Sequence, residues 1–277
     1  MKDFTEAGNV RGWGTVDLRM NTERTSPRTY LVTGAASGIG RSTREYLEGC
    51  GHRVLGADLK DAEIVADLST VEGRESLVEQ ATRLSFGRLD AVLAVAGVDT
   101  GGPVTVSVNF YGAKATLEGL RPLLLRSPAP RAVAVSSITS VHEHDEQMVT
   151  MMLNGTEEQA RARAEVAPFA YASSKRALSR WIRRASISAE WAGAGIPLNA
   201  VAPGLVHTAL LDRLFDDPAT ERRIRAGTPM PLTEPFPAER VAELLAFLAS
   251  ERNGQITGQA IFIDGGADAI IRGDSVW

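Results

Sequence analysis

The sequence has little of several features that mark other classes of protein. Its 277 residues include one cysteine, Cys50, so a disulfide framework is excluded and a reducing cytoplasm is the expected location. Positive charge is not in excess: the net charge is −4, which argues against nucleic acid or an anionic membrane as a partner. No apolar run reaches the length of a membrane span, and no repeat is present. These absences favour a globular protein that acts on a small molecule.

The first 28 residues form a polar stretch that ends at Ser26-Pro27. This stretch lacks the basic-then-apolar layout of a signal peptide. With 44% hydrophobic residues, the rest of the chain has ample material for a core. We therefore predict a polar N-terminal extension over 1–28 and one domain over 29–277.

Short apolar runs alternate with amphipathic helical stretches, which predicts an α/β fold with a parallel sheet covered on both faces. One helix is predicted over 37–51, closed by glycine, and another over 69–84, with Ser69 as its cap and Glu72 three residues later. The predicted strands are 29–34, 52–58, 63–68, 89–97, 130–137, 197–204 and 260–266.

A glycine-rich loop, "TGAASGIG", lies between the first strand and the first helix, with glycines at 34, 38 and 40. Glycine permits a tight strand-to-helix turn and a close approach of the backbone to a pyrophosphate, and the helix N-terminus offers unpaired N–H groups. The simpler alternative is a turn that binds nothing. The loop's place in the chain favours a dinucleotide site.

Asp58 ends the second predicted strand, 18 residues after Gly40. An acid at this position can accept hydrogen bonds from both ribose hydroxyls of an adenosine, and it would repel a 2′-phosphate. Arg41 and Lys60 are near in sequence, but no basic residue interrupts the glycine loop. This pattern favours NAD over NADP.

The stretch "YASSK" places Tyr171 and Lys175 four residues apart. On a helix such residues share one face, about 6 Å apart along the axis. A free phenol has a pKa of about 10, and a nearby cation favours its ionised form. The alternative is an ordinary solvated helix face. Only the other motifs can decide between a catalytic pair and such a face.

Taken in order, the motifs resemble those of the short-chain dehydrogenase/reductase family over about 30–272. The matching elements are "TGAASGIG" (33–40), "ADL" (66–68), "AG" (96–97), "VNF" (108–110), "VSS" (135–137), "YASSK" (171–175), "LNAVAPG" (198–204) and "IDGG" (263–266). The stretches "DLKDAEIVADLSTVEGRESL", "VSVNFYGA" and "IDGGADAIIR" are similar to the bacterial 3α-hydroxysteroid dehydrogenase/carbonyl reductase branch.

The resemblance implies a Rossmann-type, doubly wound fold: a seven-stranded, mainly parallel sheet in a three-layer α/β/α sandwich. It implies that Tyr171 is the catalytic acid/base, that Lys175 modulates its pKa and that Ser137 binds the substrate oxygen. Asn109 would complete a proton relay. The implied NAD-binding residues are Gly34, Ser37, Gly38, Ile39, Gly40, Asp58, Asp67, Leu68, Ala96, Gly97, Tyr171, Lys175, Pro203, Gly204, Val206 and Thr208.

Two features depart from the family pattern. The family often has asparagines before its "AG", whereas this chain has "AVAG". An insertion at about 142–167 also separates Ser137 from Tyr171. We expect its polar part to face water, its methionines and Leu153 to face an apolar substrate, and 156–167 to form a helix.

The insertion also bears on metal binding and assembly. Its "HEHDEQ" (142–147) lacks a third partner of matching spacing, so no metal site is expected. Family members often pair through helices next to this point. The resemblance therefore implies a homo-oligomer, a dimer or a tetramer, with the insertion favouring a dimer. The helix predicted at 209–215, "ALLDRLF", would be a lid on the substrate side.

These observations predict an NAD-dependent oxidoreductase acting on a secondary alcohol or ketone, such as a 3α-hydroxysteroid. One alternative is a dehydrogenase of another small alicyclic or aromatic-ring alcohol. Another, from a different class, is a regulator that senses a dinucleotide without chemistry. The presence of tyrosine, lysine and serine together favours the enzyme.

Overall fold

The structure is a computed structural model that describes residues 26–232 and 235–275. The predicted extension lies outside the described residues as far as residue 25. Arg28, at its predicted end, is already buried in the domain, where Nη2 donates to the carbonyls of Asp90 (3.0 Å) and Ala129 (2.8 Å). The folded domain therefore begins no later than Arg28.

A seven-stranded sheet forms the centre of the molecule, and each of its strand pairings is parallel. Its strand order is β3-β2-β1-β4-β5-β6-β9, and β7 pairs with β8 in a separate short ribbon. The strands are β1 Thr29–Thr33, β2 Arg53–Asp58, β3 Ile64–Val65, β4 Ala91–Ala94, β5 Arg131–Val135, β6 Leu198–Pro203, β7 Val206–His207, β8 Phe236–Pro237 and β9 Ala260–Ile263.

Helices alternate with these strands and cover both faces of the sheet. They are α1 Gly38–Gly49, α2 Val71–Leu84, α3 Gly102–Val106, α4 Ala113–Leu124, α5 Glu146–Asn154, α6 Glu157–Val166, α7 Ala170–Ala185, α8 Ala209–Phe215, α9 Pro218–Gly227, α10 Ala238–Ala249 and α11 Ala267–Arg272. A π-helical turn, Ser107–Gly112, joins α3 to α4. The predicted three-layer, doubly wound α/β fold is confirmed.

Two hydrophobic clusters lie on opposite faces of the sheet because successive side chains of a strand alternate. In β1, Leu31 belongs to one cluster, while Tyr30 and Val32 belong to the other. Leu77 of α2 packs in the first and Leu47 of α1 in the second. This two-sided burial explains why the strands read as continuous apolar runs.

The strands are shorter than the apolar runs that predicted them, mainly at their carboxyl ends. The run 89–97 forms a strand only over Ala91–Ala94, because the amides of Val95 and Ala96 donate to Thr33 Oγ1 (3.0 and 3.1 Å). The run 63–68 pairs only over Ile64–Val65. The chain thus leaves the sheet early along one edge, and the loops formed there build the site.

The predicted cap of α2 is wrong by one residue. Asp67 Oδ1 accepts the amide of Ser69 (2.8 Å), so the turn closes before the helix and Thr70 becomes the cap. Thr70 Oγ1 accepts the amide of Gly73 (3.0 Å). The helices predicted over 37–51 and 156–167 are present with slightly shorter bounds, and the helix predicted over 209–215 has the predicted bounds.

The insertion folds into two helices, α5 and α6, which pack against α7 and α3 respectively. Met148 and Met152 of α5 are buried in the first core cluster, and Leu153 packs against it. The prediction that these side chains face a substrate is therefore wrong, because the apolar face of α7 takes them into the core. In the described part of the chain, no helix is long and apolar enough to cross a membrane.

Candidate active site

The site begins where the strand order reverses, between β1 and β4. In an open parallel sheet the strand ends separate at this point and leave a crevice at the carboxyl edge. The glycine loop follows β1 into this crevice. A Cβ at Gly40 would overlap the carbonyl oxygen of Gly34, so only glycine lets α1 begin directly on the loop.

A groove of about 180 Å³ runs from this loop past the ends of β2 and β4. Both oxygens of Asp58 are held at its end: Oδ2 accepts the amide of Ala36 (3.0 Å) and Oδ1 that of Leu59 (2.7 Å). The predicted dinucleotide residues that line this groove are Gly34, Ser37, Asp58, Asp67, Leu68, Ala96 and Gly97. The other lining residues were not predicted as site residues, although two of them lie in the motifs "ADL" and "VNF": they are Ala57, Leu59, Ala66, Leu77, Val98 and Val108.

A larger cleft of about 550 Å³ opens beyond the ends of β5 and β6. Predicted residues in its wall are Ile39, Ser137, Tyr171, Pro203, Gly204, Val206 and Thr208. One side is apolar, formed by Ile138, Leu205, Leu210, Leu211, Leu214 and Ile224. Three of these leucines lie on α8, so the helix at 209–215 borders the cleft as predicted for a lid.

Tyr171 and Ser137 meet at the base of this cleft. Tyr171 lies in the first turn of α7, and Ser137 follows β5, where its Oγ accepts the amide of Thr139 (3.2 Å). The Ser137 side chain also lowers the pKa of the Tyr171 phenol, against the effect of burial. Ser137 thus caps the short turn Ile138–Val141 and lies in the same cleft wall as Tyr171.

Lys175 lies one turn farther along α7 and is 2% exposed. Its Nζ donates to the carbonyl oxygen of Val135 (2.9 Å) and lies 5.6 Å from the centre of the Tyr171 ring. A Cβ at Gly97 would approach this Nζ to 3.1 Å. A side chain at position 97 would therefore require Lys175 and Asn109 to shift by a few tenths of an ångström.

Asn109 lies in the π-helical turn and is fully buried. Its Oδ1 accepts the amide of Val98 (2.8 Å), and its Nδ2 donates to the Val98 carbonyl (2.9 Å) and to Ser174 Oγ (3.2 Å). The side chain thus ties the loop after β4 to the helix that carries Tyr171 and Lys175.

The pKa values of the two α7 groups move in opposite directions. Burial raises the pKa of Tyr171 to about 12, with the Ser137 side chain opposing the rise and Asp99 adding to it. Burial lowers the pKa of Lys175 to about 8, against the charge of Asp99. In the protein alone, Lys175 therefore does not produce the low phenol pKa that the sequence predicted, and a further positive charge is needed to favour the phenolate.

The arrangement joins a groove and a cleft through the Tyr171 region, and it fits a dinucleotide along the groove with its reactive end in the cleft. Four predicted residues line neither the groove nor the cleft. Gly38 and Gly40 support the glycine loop, and Asn109 and Lys175 lie behind the cleft wall. The sequence did not predict the other polar residues of the cleft wall, which are Asp99, Ser136, Thr139, His142, Glu143, Arg223 and Thr228. The sequence did contain a signal for Asp99, because this residue follows the end of a predicted strand, and ligands bind at the carboxyl edge of such a sheet.

His142 and His144 lie at the start of the insertion. His142 lines the cleft, where burial lowers its pKa, and His144 Nε2 contacts Glu146 (3.1 Å). Within residues 26–232 and 235–275, no group of three or more His, Cys, Asp or Glu side chains is arranged to hold a metal ion.

Comparisons with known proteins agree with the family that the motifs indicate. Residues 34–268 match a family model described as enoyl-(acyl carrier protein) reductase. The chain is 36% identical over 256 residues to the 3α-hydroxysteroid dehydrogenase/carbonyl reductase of Comamonas testosteroni, covering 87% of this chain and 97% of that protein. A tropinone reductase homologue of Arabidopsis thaliana is 30% identical over 266 residues, covering 86% of this chain and 92% of the relative.

A solved structure gives the same result. The 3α-hydroxysteroid dehydrogenase of Pseudomonas sp. B-0831, complexed with NADH, superposes with a TM-score of 0.84 at 38% identity. The match covers 89% of this chain and 99% of that one. With the fold, the glycine loop and the ordered motifs, these matches show that the chain belongs to the short-chain dehydrogenase/reductase family of NAD(P)-dependent oxidoreductases.

Proposed function

We propose that this protein interconverts a secondary alcohol and a ketone with NAD(H), using Ser137, Tyr171, Lys175 and Asn109. The observation that carries the proposal is that Ser137 and Tyr171 line the same cleft, with the Lys175 ammonium 5.6 Å from the centre of the Tyr171 ring. A hydroxyl and a phenol in one cleft wall can hold one substrate oxygen between them.

The chain's own residues handle the proton. Ser137 holds the substrate oxygen, and Tyr171 takes the proton in oxidation or gives it in reduction. Bound NAD(H) supplies the hydride acceptor or donor. Lys175 contributes a fixed positive charge, and Asn109 keeps α7 and the loop after β4 in register, as its hydrogen bonds indicate.

The preference for NAD over NADP is part of the proposal. The charged residues in the groove wall, among those described, are Asp58 and Asp67, so a 2′-phosphate would meet negative charge. Arg41 and Lys60 are absent from the wall, and Arg41 lies 3.8 Å from Glu45. The complex of the Pseudomonas relative with NADH is consistent with this preference.

The apolar side of the cleft favours an apolar alicyclic substrate. The two relatives that share 36% and 38% of their residues with the chain are named for 3α-hydroxysteroids, so such a steroid is the first candidate. Another small alicyclic or aromatic-ring alcohol is the second. A sensor without chemistry has no use for a serine, tyrosine and lysine assembled in a cleft, and we place it last.

The test is a screen of purified protein and NAD against steroid, terpene and short-chain secondary alcohols, followed by NADH fluorescence. We expect oxidation of at least one alicyclic alcohol, with NADP giving a lower kcat/KM. If the protein binds NADH but neither oxidises any alcohol nor reduces any matching ketone, the result would favour the sensor.

A further inference from the structure

Asp99 is a carboxylate in the cleft wall to which the mechanism assigns no role. It lines the same cleft as Ser137 and Tyr171, and it is half-buried. Glu143, the other carboxylate of this wall among the described residues, is exposed. The charge of Asp99 acts on both Tyr171 and Lys175, whereas Glu143 is not among the causes of their pKa shifts. Asp99 is thus the acid associated with the reacting end of the cleft.

The backbone around Asp99 is fixed on both sides. Before it, the N–H and C=O of Val98 are both bound by the Asn109 amide (2.8 and 2.9 Å). After it, the amide of Thr100 donates to Thr105 Oγ1 (3.2 Å). Asn109 and Thr105 are fully buried. A carboxylate held in this way is preorganised, so a ligand that binds it does not have to order the loop.

The carboxylate has acceptor capacity to spare. An ionised carboxylate offers about four lone-pair positions. Burial raises the pKa of Asp99, which the Gly101 amide and the charge of Lys175 only partly oppose, and in the described residues Asp99 forms no ion pair with a lysine, arginine or histidine. Lys175, whose charge it feels, donates to Val135. Burial without a full set of donors costs free energy, which a donor from a ligand would offset.

We propose that Asp99 selects substrates that carry a hydrogen-bond donor, a hydroxyl or an ammonium group, on a ring carbon next to the carbinol carbon. The inference rests on the proposed function, because it requires the reacting oxygen to lie at Ser137 and Tyr171. Because Asp99 shares the cleft with both residues and its charge acts on Tyr171, we place the donor on the ring carbon next to the reacting one. The apolar side of the cleft takes the rest of the ring.

The experiment compares three probes that share one ring: cyclohexanol, cis-1,2-cyclohexanediol and cis-2-aminocyclohexanol. For each, kcat/KM is measured with NAD for the wild type, Asp99→Asn, Asp99→Ala and Glu118→Gln. The last variant removes one carboxylate charge from α4, outside the cleft, and serves as the matched control. NADH binding by every variant checks that the fold is intact.

We expect the wild type to prefer the diol or the amino alcohol over cyclohexanol by about tenfold or more, the usual effect of a hydrogen bond to a charged group. Both Asp99 variants should lose most of this preference, and Glu118→Gln should keep it. If the donor is an ammonium group, Asp99→Asn loses as much as Asp99→Ala. If it is a hydroxyl, Asp99→Asn keeps part of the preference, since a neutral amide oxygen still accepts.

Three results would overturn the inference. The first is a preference that Asp99→Ala leaves unchanged. The second is an equal loss on cyclohexanol and the diol, which would show that Asp99 acts only through Lys175 or Tyr171. The third is that steroid or terpene alcohols are oxidised but none of the three ring probes is; this result would leave the proposed function standing. If no alcohol of either panel is oxidised, the proposed function itself fails, and the inference with it.

Discussion

At the scale of one residue, Lys175 lowers the stability of the folded protein but supplies the positive charge that the proposed reaction needs. Its ammonium is 2% exposed, and burial lowers its pKa from 10.5 to about 8. At neutral pH the protein therefore holds a charged group that its surroundings disfavour, by about 3 kcal/mol at 1.36 kcal/mol per pKa unit. The hydrogen bond to Val135 offsets part of this cost.

We predict that Lys175→Met abolishes most turnover yet leaves the protein at least as stable as the wild type at pH 7. Methionine fills a similar volume without a buried charge. Thermal unfolding checks the prediction, with Lys114→Met, a half-exposed lysine of α4, as the control that gains nothing. A large loss of stability in Lys175→Met would contradict it.

The same pKa shift sets a pH dependence. Below pH 8 both the folded and the unfolded chain bind the Lys175 proton, so the cost of burial is fully present. Between pH 8 and 10.5 the folded chain releases that proton first, so the wild type gains stability relative to Lys175→Met as pH rises. Unfolding of both proteins by urea at several pH values checks the sign.

Asp58 provides a second prediction at this scale. Asp58→Asn should lower the preference for NAD over NADP by about tenfold or more, because the charged acceptor is lost and the repulsion of a 2′-phosphate is relieved. Asp61→Asn makes the same charge change three residues later, outside the groove wall, and should leave the preference unaltered. Titration of both cofactors measures the ratio, and an unchanged ratio in Asp58→Asn would refute the role of the carboxylate.

At the scale of elements, the insertion is tied to the cofactor side of the molecule. Glu157 of α6 forms two hydrogen bonds with Arg74 of α2 (2.6 and 2.7 Å). Arg74 in turn donates to the carbonyls of Leu68 (2.8 Å) and Ser107 (3.2 Å). Leu68 lines the dinucleotide groove, and Ser107 begins the turn that carries Asn109. The insertion thus supports the groove through one arginine.

We predict that Glu157→Gln lowers the melting temperature and weakens NADH binding, because Arg74 loses its charge partner in a largely buried position. Glu158→Gln alters the neighbouring exposed acid and should change neither property. Calorimetry and NADH titration check the pair of variants. Equal melting temperatures and equal affinities would show that the link between α6 and the groove is passive.

The elements also show what the sequence can and cannot predict. Continuous apolar runs located the strands of the sheet, since burial on both faces leaves a strong pattern. It overran their ends, because Thr33 captures the amides of Val95 and Ala96 through a contact between distant residues. Met148 looked available to a substrate, but only the packing of α5 on α7 decides where it points.

The candidate site likewise contains residues that the sequence predicted and residues that it did not. The motifs located Tyr171, Ser137 and Asp58 because these residues stand at fixed places relative to strands and loops. They did not predict Asp99, which belongs to no motif and matters through its place in the cleft. The sequence also predicted that the polar part of the insertion faces water, whereas Asp145 and Glu157 are half-buried against Arg163 and Arg74.

At the scale of the whole molecule, the insertion bears on assembly. α5 packs along α7, and the resemblance to the family implies that subunits pair through helices next to this point. We predict a dimer, with a light-scattering mass of twice the 29.6 kDa of one chain. A tetrameric mass, unchanged on dilution, would show that the insertion does not obstruct that packing.

The central claim is that the molecule is an alcohol–ketone oxidoreductase that moves its proton through Tyr171. The most direct measurement compares kcat for wild type, Tyr171→Phe and Tyr46→Phe, with NAD and an alcohol found in the screen; Tyr46 is 40% exposed on α1 and serves as the control. We predict that Tyr171→Phe binds NADH normally but loses about 10²–10⁴-fold in kcat, the usual contribution of general acid–base catalysis. Tyr46→Phe should match the wild type. A Tyr171→Phe protein with near-normal kcat would contradict the account.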